Sequence, residues 1–148
     1  MSYTADKAQM SSWLLYAAWL IALIAMGGSL YFSEVNGFTP CELCWYQRIL
    51  MYPLVLILGV AAYRRDLQIT GYVLALSLIG TGLSFYHYLV QKVPAIAQTS
   101  SCTVGVPCSG VYINWLGFIT IPFLALTAFV LISILMWMIR VQIKNISG

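Results

Sequence analysis

The stretch Pro40-Cys41-Glu42-Leu43-Cys44-Trp45-Tyr46-Gln47-Arg48 opens an apolar run that continues to Tyr63. Between Arg48 and Arg64 stand 15 uncharged residues, about 22 Å of helix at 1.5 Å per residue. A bilayer core is about 30 Å thick. Arg48 therefore lies at or below the edge of the hydrocarbon, where a charge needs a partner or must snorkel outward. The stretch reads as the mouth of a membrane-spanning helix that carries a CxxC pair one turn above a buried cation.

The rest of the chain agrees. It has 148 residues, 61% hydrophobic and only 7% charged, with mean hydropathy +0.89. A soluble domain is about one quarter charged. Stretches near 12–32, 43–63, 69–89 and 112–139 are each long enough to span. They leave outer loops at 33–42 and 90–111, and one integral membrane domain over 1–148. The expected fold is an all-α, four-helix transmembrane bundle. The first stretch is charge-free from Ala8 to Ser33, longer than the apolar region of a signal peptide, so it reads as a retained helix. Pro53 and Pro122 are expected inside the second and fourth helices, where each would bend its helix.

Orientation follows the basic residues. Lys7, Arg64, Arg65, Arg140 and Lys144 share one side of a four-span chain, against Lys92 and Arg48 on the other. Both termini are expected in the cytoplasm and both cysteine loops outside the cell membrane, where disulfides persist. The net charge of +3 comes from this asymmetry, and no basic patch suggests nucleic acid.

At about 100° per residue, Cys41, Cys44 and Arg48 share one helical face. Pro40 is a helix-start signal. A first-turn cysteine sees the positive end of the helix dipole, which favours thiolate, and Arg48 adds a second positive charge below Cys44. Thiolate is therefore expected at Cys44, against the opposing pull of burial. The alternative is a structural disulfide capping the helix. Arg48 suits donation to a polar head group such as a quinone carbonyl, on which negative charge develops. Gln47 beside it could donate too, or could bond across helices.

His87 is the only histidine. The third helix runs outward, so His87 returns to the depth of Cys44 and Arg48, as interfacial packing or as a proton carrier. In the second outer loop, Cys102 and Cys108 enclose Thr103-Val104-Gly105-Val106-Pro107, whose Gly and Pro allow the turn that joins the sulfurs. That bridge is either a loop staple or an exchange-prone disulfide. No metal is expected from the four cysteines, because CxxC followed by C-x5-C matches no compact zinc signature.

The run CELCWYQR entering a second helix, the outer-loop pair, Tyr86-His87-Tyr88 and the four-span frame resemble the DsbB family of membrane disulfide-bond formation proteins. The short Cys102–Cys108 loop and the run Tyr112–Pro122 look most like its BdbC branch from Gram-positive bacteria. The resemblance covers about residues 13–139. It implies a quinone-dependent protein disulfide oxidoreductase that reoxidises an extracytoplasmic thioredoxin-fold partner and so supports disulfide formation in exported proteins. It further implies a partner-facing redox disulfide at Cys102–Cys108, a quinone-facing one at Cys41–Cys44, and quinone contacts at Arg48 and His87. Menaquinone is the acceptor such a source implies, with ubiquinone the alternative. Two competitors remain: a quinone-linked reductase resembling the vitamin K epoxide reductase class, and a non-enzymatic four-span scaffold with structural disulfides.

Overall fold

The computed structural model describes residues 2–99, 102 and 105–147, with side chains for residues 9–99, 102 and 105–145. The chain forms α1 (Ser2–Leu30) running into a π-helical turn at Tyr31–Val35, then α2 (Glu42–Arg64), α3 (Thr70–Lys92), the short α4 (Pro94–Thr99) and α5 (Ile121–Ser147). Among the described residues, four helical segments are long and apolar enough to cross a membrane: Gln9–Val35, Glu42–Arg64, Thr70–Lys92 and Ile121–Asn145. The all-helical, four-span architecture is as expected.

Local chemistry sets the helix ends. Cys41 is extended (ψ 174) and caps α2, with Glu42 as the acid of the first turn, complementing the partial positive charge there. Pro40 thus precedes the cap rather than occupying the first helical position. At the other end, Arg65 takes a left-handed conformation (φ 54), and its N–H reaches Ala61 and Ala62. Asp66 Oδ1 then accepts from the Gln68 N–H at 2.9 Å, an Asx turn that reverses the chain into α3.

The fourth span differs most from expectation, and the loop before it is longer. The fourth span starts at Ile121 rather than 112, so the second outer loop runs from Val93 to Thr120 and contains α4. Residues 112–120 are apolar but make a tight hairpin, with Trp115 bridged to Ile119 and positive φ at Leu116 (54) and Gly117 (80). Trp115, Leu116 and Phe118 are exposed there, so apolarity alone misplaced the helix. In consequence Pro122 lies in the first turn of α5 and removes no ladder bond, whereas Pro53 is inside α2 as expected.

The packing order around the bundle is α1, α2, α3, α5, with the α3–α5 interface the most extensive. Burial from lipid supplies little hydrophobic drive between spans, so close packing and interhelical hydrogen bonds hold them. Gly80 permits the α3–α5 approach: a Cβ there would lie 2.3 Å from a Phe129 ring carbon. Ser133 Oγ donates to Ser77 Oγ at 2.8 Å across the same interface, and Ser11 Oγ donates to Gln142 Oε1 at 2.6 Å between α1 and α5. The main core comprises Leu15, Leu54, Leu58, Val73, Phe129, Ile132, Met136 and neighbours. A separate, smaller cluster at the end of the bundle where α2 begins holds Cys41, Leu43, Val90 and Cys108.

Candidate redox site

That smaller cluster is where the chemistry meets. Cys102 and Cys108 form a disulfide, within a loop whose Gly105 has φ +88. Thr103 and Val104 of that loop lie outside the described residues. Cys108 is 2% exposed and packs with Cys41, while Cys102 is only half-buried. The loop is fastened to α3 by Gln91, whose Nε2 donates to the Gly110 carbonyl at 2.9 Å. It is fastened at its end by Lys92, whose Nζ donates to the Gly117 carbonyl at 2.7 Å.

The α2 pair is a dithiol with the sulfurs 3.0 Å apart. His87 is 1% exposed, and its Nε2 stands 3.6 Å from Cys41 Sγ. The Cys44 thiol beside it pulls the Cys41 thiol down from 9.0 to about 4; burial opposes this, and His87 reinforces it. Thiolate is thus favoured at Cys41, not at Cys44 as the sequence suggested. The cause is that the Cys44 thiol and His87 Nε2 both lie within hydrogen-bond reach of the Cys41 sulfur.

On the other side of the pair opens a cavity of about 490 Å³ between α1, α2 and α5, within the size range of small-molecule sites. Its lining includes Cys44, Gln47, Arg48, Ser29, Phe32, Phe38, Tyr112, Ile121 and Phe129. Phe32, Phe38 and Tyr112 stack in series, at 6.2 and 4.8 Å between ring centroids, and form an aromatic wall near the mouth. Tyr112 OH donates to the Thr39 carbonyl at 3.2 Å, joining the two outer loops.

Arg48 is neither free nor snorkelling. Its Nε donates to Ser29 Oγ and its Nη2 to the Ser29 carbonyl, both at 2.9 Å, and its guanidinium lies 5.5 Å from the Trp45 ring centroid. Ser29 immediately precedes the last α-helical residue before the π turn, and such turns are frequent at functional sites. Two of five guanidinium donors are used, which leaves others for a ligand in the cavity. Gln47 bonds across helices, donating to Ser84 Oγ at 3.1 Å, while still lining the cavity.

The expected single stripe is therefore divided. Cys44, Gln47 and Arg48 line the cavity; Cys41 turns to the loop disulfide. His87 does not line the cavity with Arg48; its Nε2 faces Cys41 instead. Sequence reasoning missed Ser29, Phe38, Tyr112 and Gln91 as contributors. Ser29 carried the clearest signal: a small polar residue in a span, available to an intramembrane arginine that needs a partner.

Comparison with known proteins identifies the family of the chain. The family model described as "Disulfide bond formation protein DsbB" matches residues 11–139. Disulfide bond formation protein C of Bacillus subtilis (strain 168) is 63% identical over 126 residues, 85% of this chain and 91% of the relative. The "Probable disulfide formation protein C" of Halalkalibacterium halodurans is 56% identical over 121 residues, 82% and 88% of the two chains. A "Probable disulfide formation protein" of Coxiella burnetii is 45% identical over 125 residues, 84% and 85%. No solved structure matches the chain.

Proposed function

The chain belongs to the DsbB family of disulfide bond formation proteins, and from that premise we propose that it moves electrons from an extracytoplasmic thioredoxin-fold dithiol to a membrane quinone. The observation that carries the reading is the meeting of both cysteine pairs at one buried cluster, with Cys44 on the wall of an apolar cavity that also holds Arg48. Cys41, Cys44, Cys102 and Cys108 are the catalytic residues in this reading. Both termini lie in the cytoplasm and the cysteine loops face outward from the cell membrane.

A partner thiolate attacks the half-buried Cys102, forming a mixed disulfide and releasing Cys108 as thiolate. Cys108 attacks Cys41 of an oxidised Cys41–Cys44 pair and releases Cys44. The partner's second thiolate resolves the mixed disulfide, leaving the partner oxidised and Cys102 free. Cys102 then attacks Cys108, re-forms the loop disulfide and releases Cys41. Two electrons have passed from partner to the α2 pair, and the pairs now stand as in the structure: loop disulfide, helix dithiol.

Re-forming Cys41–Cys44 requires a two-electron, two-proton acceptor, the chemistry a quinone supplies when bound. The cavity fits such a group: it is predominantly apolar, walled by Phe32, Phe38 and Tyr112, and offers the spare donors of Arg48. Arg48, anchored by Ser29, would orient a carbonyl and stabilise negative charge on it. Gln47 keeps α2 against α3. His87 acts on the Cys41 side, holding the sulfur that must leave as thiolate.

The test is anaerobic. The purified chain is mixed with menaquinone or ubiquinone and a reduced thioredoxin-fold dithiol, and quinone absorbance is followed. Quinol formation that requires Cys44 is the expected result; no reduction with any such dithiol would refute the reading.

A further inference from the structure

Among the described residues, one cluster of metal-ligating atoms stands out. Cys41 Sγ, Cys44 Sγ and a ring nitrogen of His87 lie within 4.8 Å of one another. These are soft and borderline donors, the set that selects thiophilic d10 cations. The four-cysteine arrangement excluded from the sequence is a different set, since His87 comes from α3 and the loop cysteines are bonded to each other.

The geometry is close to what a tetrahedral ion needs. With Zn–S near 2.3 Å and Zn–N near 2.05 Å, the S···N edge is about 3.6 Å and the S···S edge about 3.8 Å. Cys41 Sγ to His87 Nε2 is already 3.6 Å. The sulfurs, at 3.0 Å, must part by about 0.8 Å, and Cys44 Sγ, within 4.8 Å of the His87 nitrogen, must come to about 3.6 Å from it. Beside all three donors lies a chamber of about 20 Å³ that Gln91 also lines. It has room for one water as fourth ligand and none for an organic molecule. Gln91 Oε1, buried without a partner, is an acceptor for that water.

Charge favours capture. A divalent ion bound by two thiolates and a neutral imidazole forms a neutral unit, which is far less costly to bury than a separated charge. The Cys44 S–H bond breaks and its proton leaves, metal–sulfur bonds form to Cys44 and to the Cys41 thiolate, and no electrons move. Metal-binding histidines are ordinarily anchored through their second nitrogen, but His87 Nδ1 is buried with no partner. That lack of support describes a site that captures and releases an ion, not a permanent structural one.

We propose that Cys41, Cys44 and His87 form an inhibitory site for a thiophilic divalent cation such as Zn²⁺, open only while the α2 pair is reduced. The block on electron flow rests on the exchange sequence proposed above; the binding itself does not.

The experiment is titration of the full chain in detergent with Co²⁺ and Zn²⁺, without quinone or partner, so its failure would leave the electron-transfer reading standing. The reduced chain should bind one ion with the visible absorption of tetrahedral Co²⁺ bonded to thiolate. Binding should survive in Cys102→Ser/Cys108→Ser, vanish in Cys44→Ser and on oxidation, and weaken at least about tenfold in His87→Ala. It should also weaken as pH falls, because protons compete for the same sulfurs. Unchanged affinity in His87→Ala would overturn the proposal. So would a six-coordinate Co²⁺ spectrum of the unsubstituted chain, which tests the site even if the variant fails to fold.

Discussion

Cys41 and Cys44 hold their sulfurs 3.0 Å apart yet belong to different neighbourhoods. Cys41 is buried in a cluster with Cys108, and Cys44 borders the cavity that contains Arg48. A single turn of helix thus joins the cluster of the loop disulfide to the Arg48 cavity, and in the proposed exchange electrons would cross between them by moving one disulfide.

The different exposure of the loop cysteines is the basis of the proposed order of attack. Cys108→Ser should trap the partner as a mixed disulfide on Cys102, whereas Cys102→Ser should trap little, because Cys108 is 2% exposed. Non-reducing electrophoresis with a single-cysteine partner reads this directly. A predominant adduct on Cys44 would sink the order.

Cys41 titrates near 4 rather than 9.0 in the reduced chain. Alkylation of the pair should therefore hold its rate from pH 9 down to about 5, where an ordinary thiol loses about tenfold per unit. Between 4 and 9.0 the unfolded chain keeps a proton that the folded chain has lost, so the reduced protein should gain stability as pH rises. His87→Ala should move the alkylation midpoint upward. A rate that falls steadily below pH 8 in the unsubstituted chain would show the thiolate is absent.

Arg48 is held by two hydrogen bonds to Ser29. Arg48→Ala should raise the quinone KM by roughly 10- to 100-fold, the worth of a charged hydrogen bond, with partner exchange unchanged. Arg48→Lys should not rescue it, because an ammonium cannot reproduce the fork. Ser29→Ala should give a smaller change in the same direction. Steady-state kinetics at varied quinone decide it, and unaltered KM in Arg48→Ala would remove the assigned role.

Gln91 fastens the cysteine loop to α3 through the Gly110 carbonyl. Its removal in Gln91→Ala should slow electron transfer from Cys102–Cys108 to the α2 pair several-fold while leaving quinone KM alone. Rapid-quench analysis of disulfide states measures that step. Equal rates would make the bond incidental.

Gly80→Ala places a methyl group 2.3 Å from the Phe129 ring, at the most extensive interface of the bundle. Overpacking of this kind costs about 1–3 kcal/mol, seen as a lower melting temperature in detergent. The double variant Gly80→Ala/Phe129→Leu should recover part of that loss. Since Phe129 also lines the cavity, Gly80→Ala should weaken quinone use as well.

The sequence by itself determined the four spans and the CxxC pair at the mouth of the second. These are properties of transfer from water to lipid and of helical rise, and both are local. It also carried the family resemblance. Only the tertiary structure decided that Arg48 bonds to Ser29, that His87 lies against Cys41, that Cys108 is buried and Cys102 only half-buried, and that residues 112–120 turn back before the last helix begins. The spans α1 and α2 are apolar on nearly all sides, so no polar stripe marks which face looks inward. Rotation and register between helices, set by contacts such as Gly80 against Phe129 and Gln47 with Ser84, are what bring residues dozens of positions apart to one sulfur.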